Sequence, residues 1–200
     1  NDPYEFKNVP KKYQSDPRFE AKVYTGWKNA IRKNPHVWTS VPKELQDLPE
    51  MREEMLMASR PGKLNCQNLP DFVLNDEIFL QNCKRKIMNL ISEGGEDIIC
   101  GYYWSNMPEK IKNDSEVYEK AVDMAMFKIK NYAWIFHRLH PVFKRNKKLQ
   151  NLAAKLMAEQ VVGRVNWDDM PEELYKHPLL VAVDEKHKKD WYERSKNEVN

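Results

Sequence analysis

The sequence predicts an all-α fold, an α-solenoid of about six helical-hairpin repeats, and three observations predict it. An apolar residue, an aliphatic residue three positions later and then a proline recur along the chain, with histidine once in the proline's place. These anchor positions are 28 to 38 residues apart, which is typical of stacked helical repeats. Residues suited to a helix start, chiefly Asp and Pro, follow most anchors by six or seven positions.

The six copies of the motif differ in clarity. It is plainest at Trp38–Pro42, Trp104–Pro108 and Trp167–Pro171, and fainter at Phe6–Pro10, Cys66–Pro70 and Phe136–His140. The register extends beyond the anchor, because the residue three positions later is apolar in every copy. We therefore predict one helical-repeat domain over 1–200, with units at approximately 4–36, 37–64, 65–101, 102–133, 134–165 and 166–200.

Each unit is predicted to contain two helices. A short helix begins near the anchor and runs about two turns, and a longer helix of roughly 12 to 15 residues follows it. Asp16-Pro17 and Asp76-Glu77 suit the start of the longer helix, because the carboxylate accepts backbone N–H groups and proline lacks only an N–H that is unpaired there. The apolar run 97–104 is interpreted as a linker into the next unit, so no strand is predicted.

The tryptophans fall into two groups. Trp38, Trp104 and Trp167 occupy one repeat position, so we expect them to be buried and to pack their units in equivalent ways. Trp27, Trp134 and Trp191 fall outside that position and are candidates for a binding face.

Composition places the chain among ordinary folded proteins, with 41% hydrophobic and 32% charged residues. No apolar run approaches the roughly 18 to 20 residues that cross a bilayer, so we expect a soluble protein with no membrane partner. We also expect an intracellular (cytoplasmic) location, which agrees with the cysteine pattern described below. The chain opens at Asn1, and we expect it to be a fragment of a larger protein. Cys66, Cys83 and Cys100 lack zinc-site spacing and are expected to be buried thiols in a reducing compartment.

The fourth unit carries a resemblance to a known family. The segment Trp104–Val117, followed by Ala121-Val122, resembles the short bacterial and viral helical repeats called domain of unknown function 4116. This chain has Asn106-Met107-Pro108 where that family usually shows Ala-Ser. The resemblance implies a tandem helical repeat and implies no activity.

Charge points to a candidate partner-binding site. No Asp or Glu occurs over 124–158, whereas eight cations do: Lys128, Lys130, Arg138, Lys144, Arg145, Lys147, Lys148 and Lys155. The segment Lys144–Lys148 stands where the preceding unit has the acidic segment Lys112–Glu116. Cations at a helix start oppose the helix dipole by about 0.3 to 1 kcal/mol each, which suggests a functional reason for them. We predict that these eight residues and Trp134 bind a partner.

The sequence supports three functional hypotheses. The first is a non-catalytic protein–protein interaction or scaffolding module whose partner is another protein with an acidic surface. The second is RNA or single-stranded DNA binding through 124–158, where aromatic residues are interleaved with cations. The third is an effector or enzyme whose chemistry lies outside this fragment. No catalytic, cofactor-binding or metal-binding residue is predicted, because nucleotide-binding and nucleophile motifs are missing and His137 and His140 have no carboxylate near in sequence. The sequence predicts no particular oligomeric state.

Overall fold

The computed structural model describes residues 16–62, 65–160 and 165–198. All regular elements in these ranges are helices, and none of these residues lies in a strand, so the prediction of an all-α fold is confirmed. The predicted linker over 97–104 is itself largely helical, with short helices at Glu96–Ile99 and Tyr102–Asn106. Within the described ranges, no helix combines the length and the apolar character that a membrane span requires.

The long helices begin where the repeat register places them. They are α1 (Pro17–Lys33), α2 (Pro49–Ser59), α3 (Glu77–Ser92), α4 (Ser115–Asn131), α5 (Lys147–Gln160) and α6 (Pro178–Glu198). Each starts seven residues after an anchor of the motif. The caps are those expected from sequence: Asp16 Oδ1 accepts from the Arg18 amide at 2.8 Å, and Asp76 Oδ1 accepts from the Phe79 amide at 2.8 Å.

The short helices differ from the prediction. After each of the five anchors that lie in the described ranges, the helix is a single turn, not two, at Lys43–Gln46, Asp71–Leu74, Glu109–Lys112, Pro141–Lys144 and Glu172–Leu174. The first copy of the motif, Phe6–Pro10, lies outside the described residues. The spacing explains the single turn, because the residue six positions after the anchor already caps the next helix and leaves room for one turn only. A further short helical segment precedes the anchor in several units, at Pro35–Ser40, Tyr102–Asn106, Ala133–Arg138 and Trp167–Asp169. These units therefore contain three helical segments.

Besides the repeat units, the chain divides into two larger compact parts, which we call unit 1 and unit 2. Unit 1 includes the described residues 16–62, 65–89 and 106–114. In it α1 packs on α2, and Glu54 of α2 accepts from Arg32 Nη2 at 2.8 Å. Cys66 and Cys83 are buried as predicted, and Cys100, which belongs to unit 2, is half-buried. Large buried side chains form the core of unit 1, namely Trp27, Ile31, Trp38, Met51, Met55, Val73, Phe79 and Ile87. The expectation that Trp27 lies on a binding face is therefore wrong, because the ring packs in this core, whereas Trp191 in unit 2 is exposed.

Unit 2 includes the described residues 90–105, 115–160 and 165–198. In it α4 packs on α5, and α5 packs on α6 and on the short helix Ala133–Arg138. Its core contains Ile98, Ile99, Trp104, Val117, Ile129, Phe136, Phe143, Leu149, Met157 and Leu180. This arrangement places the start of α5, where the predicted basic segment lies, beside α4.

The repeated apolar positions are buried. The aliphatic residue before the anchor is buried in every described copy, at Val41, Leu69, Met107, Leu139 and Met170. Trp38 and Trp104 are buried, with their rings edge-on to Phe72 at 5.6 Å and to Phe143 at 4.6 Å between centroids. Trp167 departs from the expectation of equivalent burial, since it is half-buried and packs edge-on to the exposed ring of Tyr175.

Candidate partner-binding site

Four cations surround the start of α5, and we call Lys144, Arg145, Lys147 and Lys148 the basic cluster. Lys144 ends the single turn Pro141–Lys144, and Lys147 and Lys148 are the first two residues of α5. Asn146 between them caps α5, because its Oδ1 accepts from the Lys148 amide at 3.0 Å. Arg145, Lys147 and Lys148 are exposed and Lys144 is half-buried, so the local fold directs most of this charge to solvent.

The basic cluster has no acidic counterpart within the described ranges. None of its four side chains forms an ion pair there, and Lys147 Nζ donates instead to the neutral Gln150 Oε1 at 3.0 Å. Gln150 is buried, and its Nε2 donates to the Lys144 carbonyl at 2.8 Å, which fixes the turn that carries the cluster. The cluster therefore keeps its positive charge at a helix N-terminus, where the helix dipole adds to it.

Two other predicted cations share one acidic partner. Arg138 lies 3.0 Å and Lys128 lies 3.9 Å from the carboxylate of Glu96, which precedes the acid-free stretch in sequence. Lys130 and Lys155 are exposed and Trp134 is half-buried, and no described contact joins any of these three to the basic cluster. The structure thus separates the nine predicted residues into the basic cluster, a pair around Glu96, and three dispersed side chains.

A groove of about 520 Å³ opens beside the basic cluster, between α4 and the start of α5. Apolar surface is supplied by Val122, which is buried, and by Tyr118 and Met126, which are half-buried. Two exposed carboxylates, Glu119 and Asp123, also line it. The lining residues are Tyr118, Glu119, Val122, Asp123, Met126, Asn146, Lys147 and Lys148.

Asn146 also anchors the groove to α4. Its Nδ2 lies 3.2 Å from Tyr118 Oη, and the Tyr118 ring stacks on the buried Phe143 ring at 5.9 Å between centroids. The residue six positions after the anchor makes a comparable contact with the preceding long helix or its end in other copies. These contacts are Asp76 to Arg60 at 3.4 Å, Asp114 to Lys84 at 2.7 Å and His177 to Asn151 at 3.1 Å.

The basic cluster affects the pKa of a neighbouring histidine, His177. Burial, and then the positive charge of Lys147, lower the pKa of His177 below its ordinary value. Its Nδ1 accepts from the Leu179 amide at 3.4 Å at the start of α6. His177 therefore favours the neutral state, which suits a capping acceptor.

Sequence reasoning missed the acidic members of this region. The spacing of four places Glu119 and Asp123 on one side of α4, but nothing in the sequence places that side next to the start of α5. Glu96 was missed because it lies outside the acid-free stretch. Within the described ranges, no group of three or more His, Cys, Asp or Glu side chains is arranged to hold a metal ion.

Three comparisons with known proteins were made. No protein-family model, no curated protein and no solved structure matches the chain. The resemblance of the fourth unit to domain of unknown function 4116 therefore stays a prediction.

Proposed function

We propose that this chain is a non-catalytic helical-repeat module that binds another protein through the basic cluster at the start of α5. The observation that carries this proposal is that Lys144, Arg145, Lys147 and Lys148 have no acidic partner within the described ranges, whereas Lys128 and Arg138 share Glu96. Uncompensated surface charge raises the association rate of an oppositely charged partner. The partner is therefore a protein with an acidic surface.

The proposed architecture is an α-solenoid of about six units that resembles the domain of unknown function 4116 repeats. Two features support it: the long helices all start seven residues after an anchor, and the residue before most of these starts contacts the preceding long helix or its end. Small-angle X-ray scattering tests this part, because a solenoid gives an elongated distance distribution and a compact bundle gives a symmetric one.

RNA or single-stranded DNA binding is the second candidate, and one observation favours it. Phe127 and Tyr132 are 63% and 58% exposed, and the exposed Lys130 lies between them in sequence. Exposed rings beside cations can stack successive bases. Against this candidate, Glu119 and Asp123 line the groove next to Lys147, and a continuous phosphate backbone that crosses the groove meets both carboxylates. A protein can instead place its acidic side chains against the basic cluster alone. We therefore favour a protein partner.

Fluorescence anisotropy with two labelled probes tests the proposal, one a short peptide rich in Asp and Glu and the other a short oligouridine. The variant K144E/R145E/K147E/K148E is expected to slow association of the peptide about 100-fold, since steering charges act on the encounter. The control K22E/K33E/K43E/K110E makes the same charge change at exposed lysines elsewhere and is expected to have a much smaller effect.

Two outcomes contradict the protein-partner proposal. One is a peptide that binds the quadruple variant as well as it binds the wild type. The other is oligouridine that binds while the peptide does not, with a log–log salt slope of about −0.7 per phosphate neutralised, which selects the nucleic-acid candidate.

A further inference from the structure

The groove between α4 and α5 has two walls of opposite charge above an apolar floor. Tyr118, Val122 and Met126 are spaced by four residues and therefore form one row along α4. Glu119 and Asp123 form the next row on the same helix, and both are exposed. Lys147 and Lys148 line the groove from the start of α5.

The two walls do not neutralise each other. Within the described ranges, neither Glu119 nor Asp123 forms an ion pair, and the same is true of Lys147 and Lys148. Opposite charges that face a shared space without pairing leave both sets available to a bound molecule.

In unit 1, the residues at the corresponding repeat positions are joined by an ion pair. Lys84, the eighth residue of α3, is joined to Asp114 at 2.7 Å. The residues at the same repeat positions in unit 2 are Val122, the eighth residue of α4, and Asn146. Neither Val122 nor Asn146 can form an ion pair, so no pairing closes the groove at these two positions. The charged lining residues are instead Glu119 and Asp123 on α4 and Lys147 and Lys148 on α5.

We propose that this groove binds a short peptide segment of the partner protein that carries a basic and an acidic side chain on either side of an apolar one. The basic side chain pairs with Glu119 and Asp123, and the acidic side chain pairs with Lys147 and Lys148. The apolar side chain covers Val122 and Met126. This inference rests on the proposed function and adds the chemistry of the segment that is recognised.

Charge complementarity selects this occupant over simpler ones. A purely acidic segment that enters the groove meets Glu119 and Asp123, and a phosphate backbone meets the same repulsion. A purely basic segment meets Lys147 and Lys148. The volume of about 520 Å³ lies within the range of about 300 to 1,000 Å³ that holds a few side chains of a bound peptide.

Binding of three pools of short labelled peptides to the whole chain tests the inference. All pools share the same content of Leu, Ser and Gly; the mixed pool places Arg and Glu on either side of Leu, and the other two pools carry only Glu or only Arg as charged residues. The mixed pool is expected to bind about tenfold more tightly than either single-sign pool, since one further hydrogen bond to a charged group is worth about that much.

Isosteric variants separate the two walls. E119Q/D123N is expected to weaken binding of the mixed pool about tenfold and to strengthen binding of the acidic pool, because it removes charge without changing shape. The control E159Q/E172Q removes two exposed carboxylates of unit 2 that do not line the groove, and is expected to leave all three pools unchanged.

The outcomes distinguish this inference from the proposed function. If the acidic pool binds as tightly as the mixed pool and E119Q/D123N changes neither, the groove inference is overturned and binding of acidic partners by the basic cluster stands. If none of the three pools binds the chain, both proposals are overturned. Tighter binding of the mixed pool that depends on both walls supports both.

Discussion

The turn before α4 and the turn before α5 occupy the same place in the repeat, but one is acidic and ion-paired and the other is basic and open. Asp114 before α4 pairs with Lys84 at 2.7 Å, and Ser115 and Glu116 begin the helix. Asn146 before α5 makes a neutral hydrogen bond to Tyr118 at 3.2 Å, and two lysines begin the helix. The position of each turn is therefore kept while its charge is changed.

This difference shows that the fold keeps a contact at this position but does not need a charge there. The residue before each of the helices α3 to α6 contacts an earlier part of the chain. In unit 1 the contact is an ion pair, at Asp76 and Asp114, and in unit 2 it is a neutral hydrogen bond, at Asn146 and His177. Since an exposed ion pair contributes only about 0 to 1 kcal/mol, its replacement by a neutral contact costs little stability. The start of α5 can thus carry positive charge without losing its place in the fold.

The largest expected effect concerns the first position of the motif, which is buried before both turns, as Trp104 before α4 and as Phe136 before α5. Trp38→Ala and Trp104→Ala are each expected to lower the free energy of unfolding by about 3 to 5 kcal/mol, because both rings are buried. Trp167→Ala is expected to cost less, since that ring is half-buried. Urea unfolding followed by circular dichroism measures all three. Equal costs at Trp104 and Trp167 contradict the difference in burial.

The next largest expected effect concerns a buried carboxylate in unit 2, that of Asp184, which is only 3% exposed. Its carboxylate accepts from Trp167 Nε1 at 3.3 Å and from the Val165 amide at 3.2 Å, and it lies 2.9 Å from Lys188 Nζ. Asp184→Ala leaves buried donors without this acceptor and is expected to cost about 3 kcal/mol at neutral pH.

The cost at Asp184 should depend on pH. Burial raises the pKa of this carboxyl, but the hydrogen bonds from Lys188, Trp167 and Val165 outweigh burial and hold the pKa below its ordinary value. The carboxylate therefore stabilises the fold fully above the unfolded-state pKa of about 3.9, and this contribution is lost as the pH falls through the lower pKa of the folded state. Urea unfolding across acidic pH should show a flatter profile for Asp184→Ala; an unchanged profile contradicts this account.

A pair of reciprocal substitutions tests the two turns directly. Asp114→Asn keeps a capping oxygen but loses the ion pair with Lys84, so it is expected to cost about 0.5 to 1 kcal/mol. Asn146→Asp places a carboxylate at the start of α5 beside Lys147 and Lys148, and is expected to stabilise by about 0.3 to 1 kcal/mol. Both changes are read from urea midpoints. A stabilising Asp114→Asn or a destabilising Asn146→Asp would show that the two turns are not equivalent.

The smallest expected effect is electrostatic and concerns His177. Lys147→Gln removes a positive charge that disfavours the protonated ring, so the pKa of His177 is expected to rise toward its ordinary value. Burial persists in the variant, so the pKa stays below that value. Titration of the ring resonances by NMR measures the change, with Lys148→Gln as the control that leaves it unaltered. Because neutral His177 is favoured in the fold, its stabilisation is present above the ordinary pKa and is lost as the pH falls through the folded pKa.

The starts of the long helices could be predicted from sequence because capping is local. Asp16 and Asp76 each accept from an amide two or three residues later, so the pattern of side chains is sufficient to place them. The prediction of a two-turn helix after the anchor was wrong although the same spacing excludes it, since the cap six residues on permits one turn only.

The candidate site could be predicted only in part. The positive charge at the start of α5 is visible in sequence, because the preceding unit is acidic there. The pairing of Glu96 with Arg138, and the approach of Glu119 and Asp123 to the groove, join residues that are distant in the chain. Such contacts depend on how α4 and α5 pack, which no local pattern specifies.

The constant interval between each anchor and the following long helix has a consequence for how the chain tolerates insertions. That interval never changes, so the variation in spacing between anchors falls in the long helices, which run from 11 to 17 residues between anchors, and in the connections that follow them. The connection after α3 contains Gly94, whose φ is +77° and whose missing Cβ would meet nothing within 4 Å. Extra residues are accommodated at such an open glycine turn. One extra residue between anchor and cap would instead displace the capping side chain from its partner, so new sequence can be grafted into this protein after its long helices and not before them.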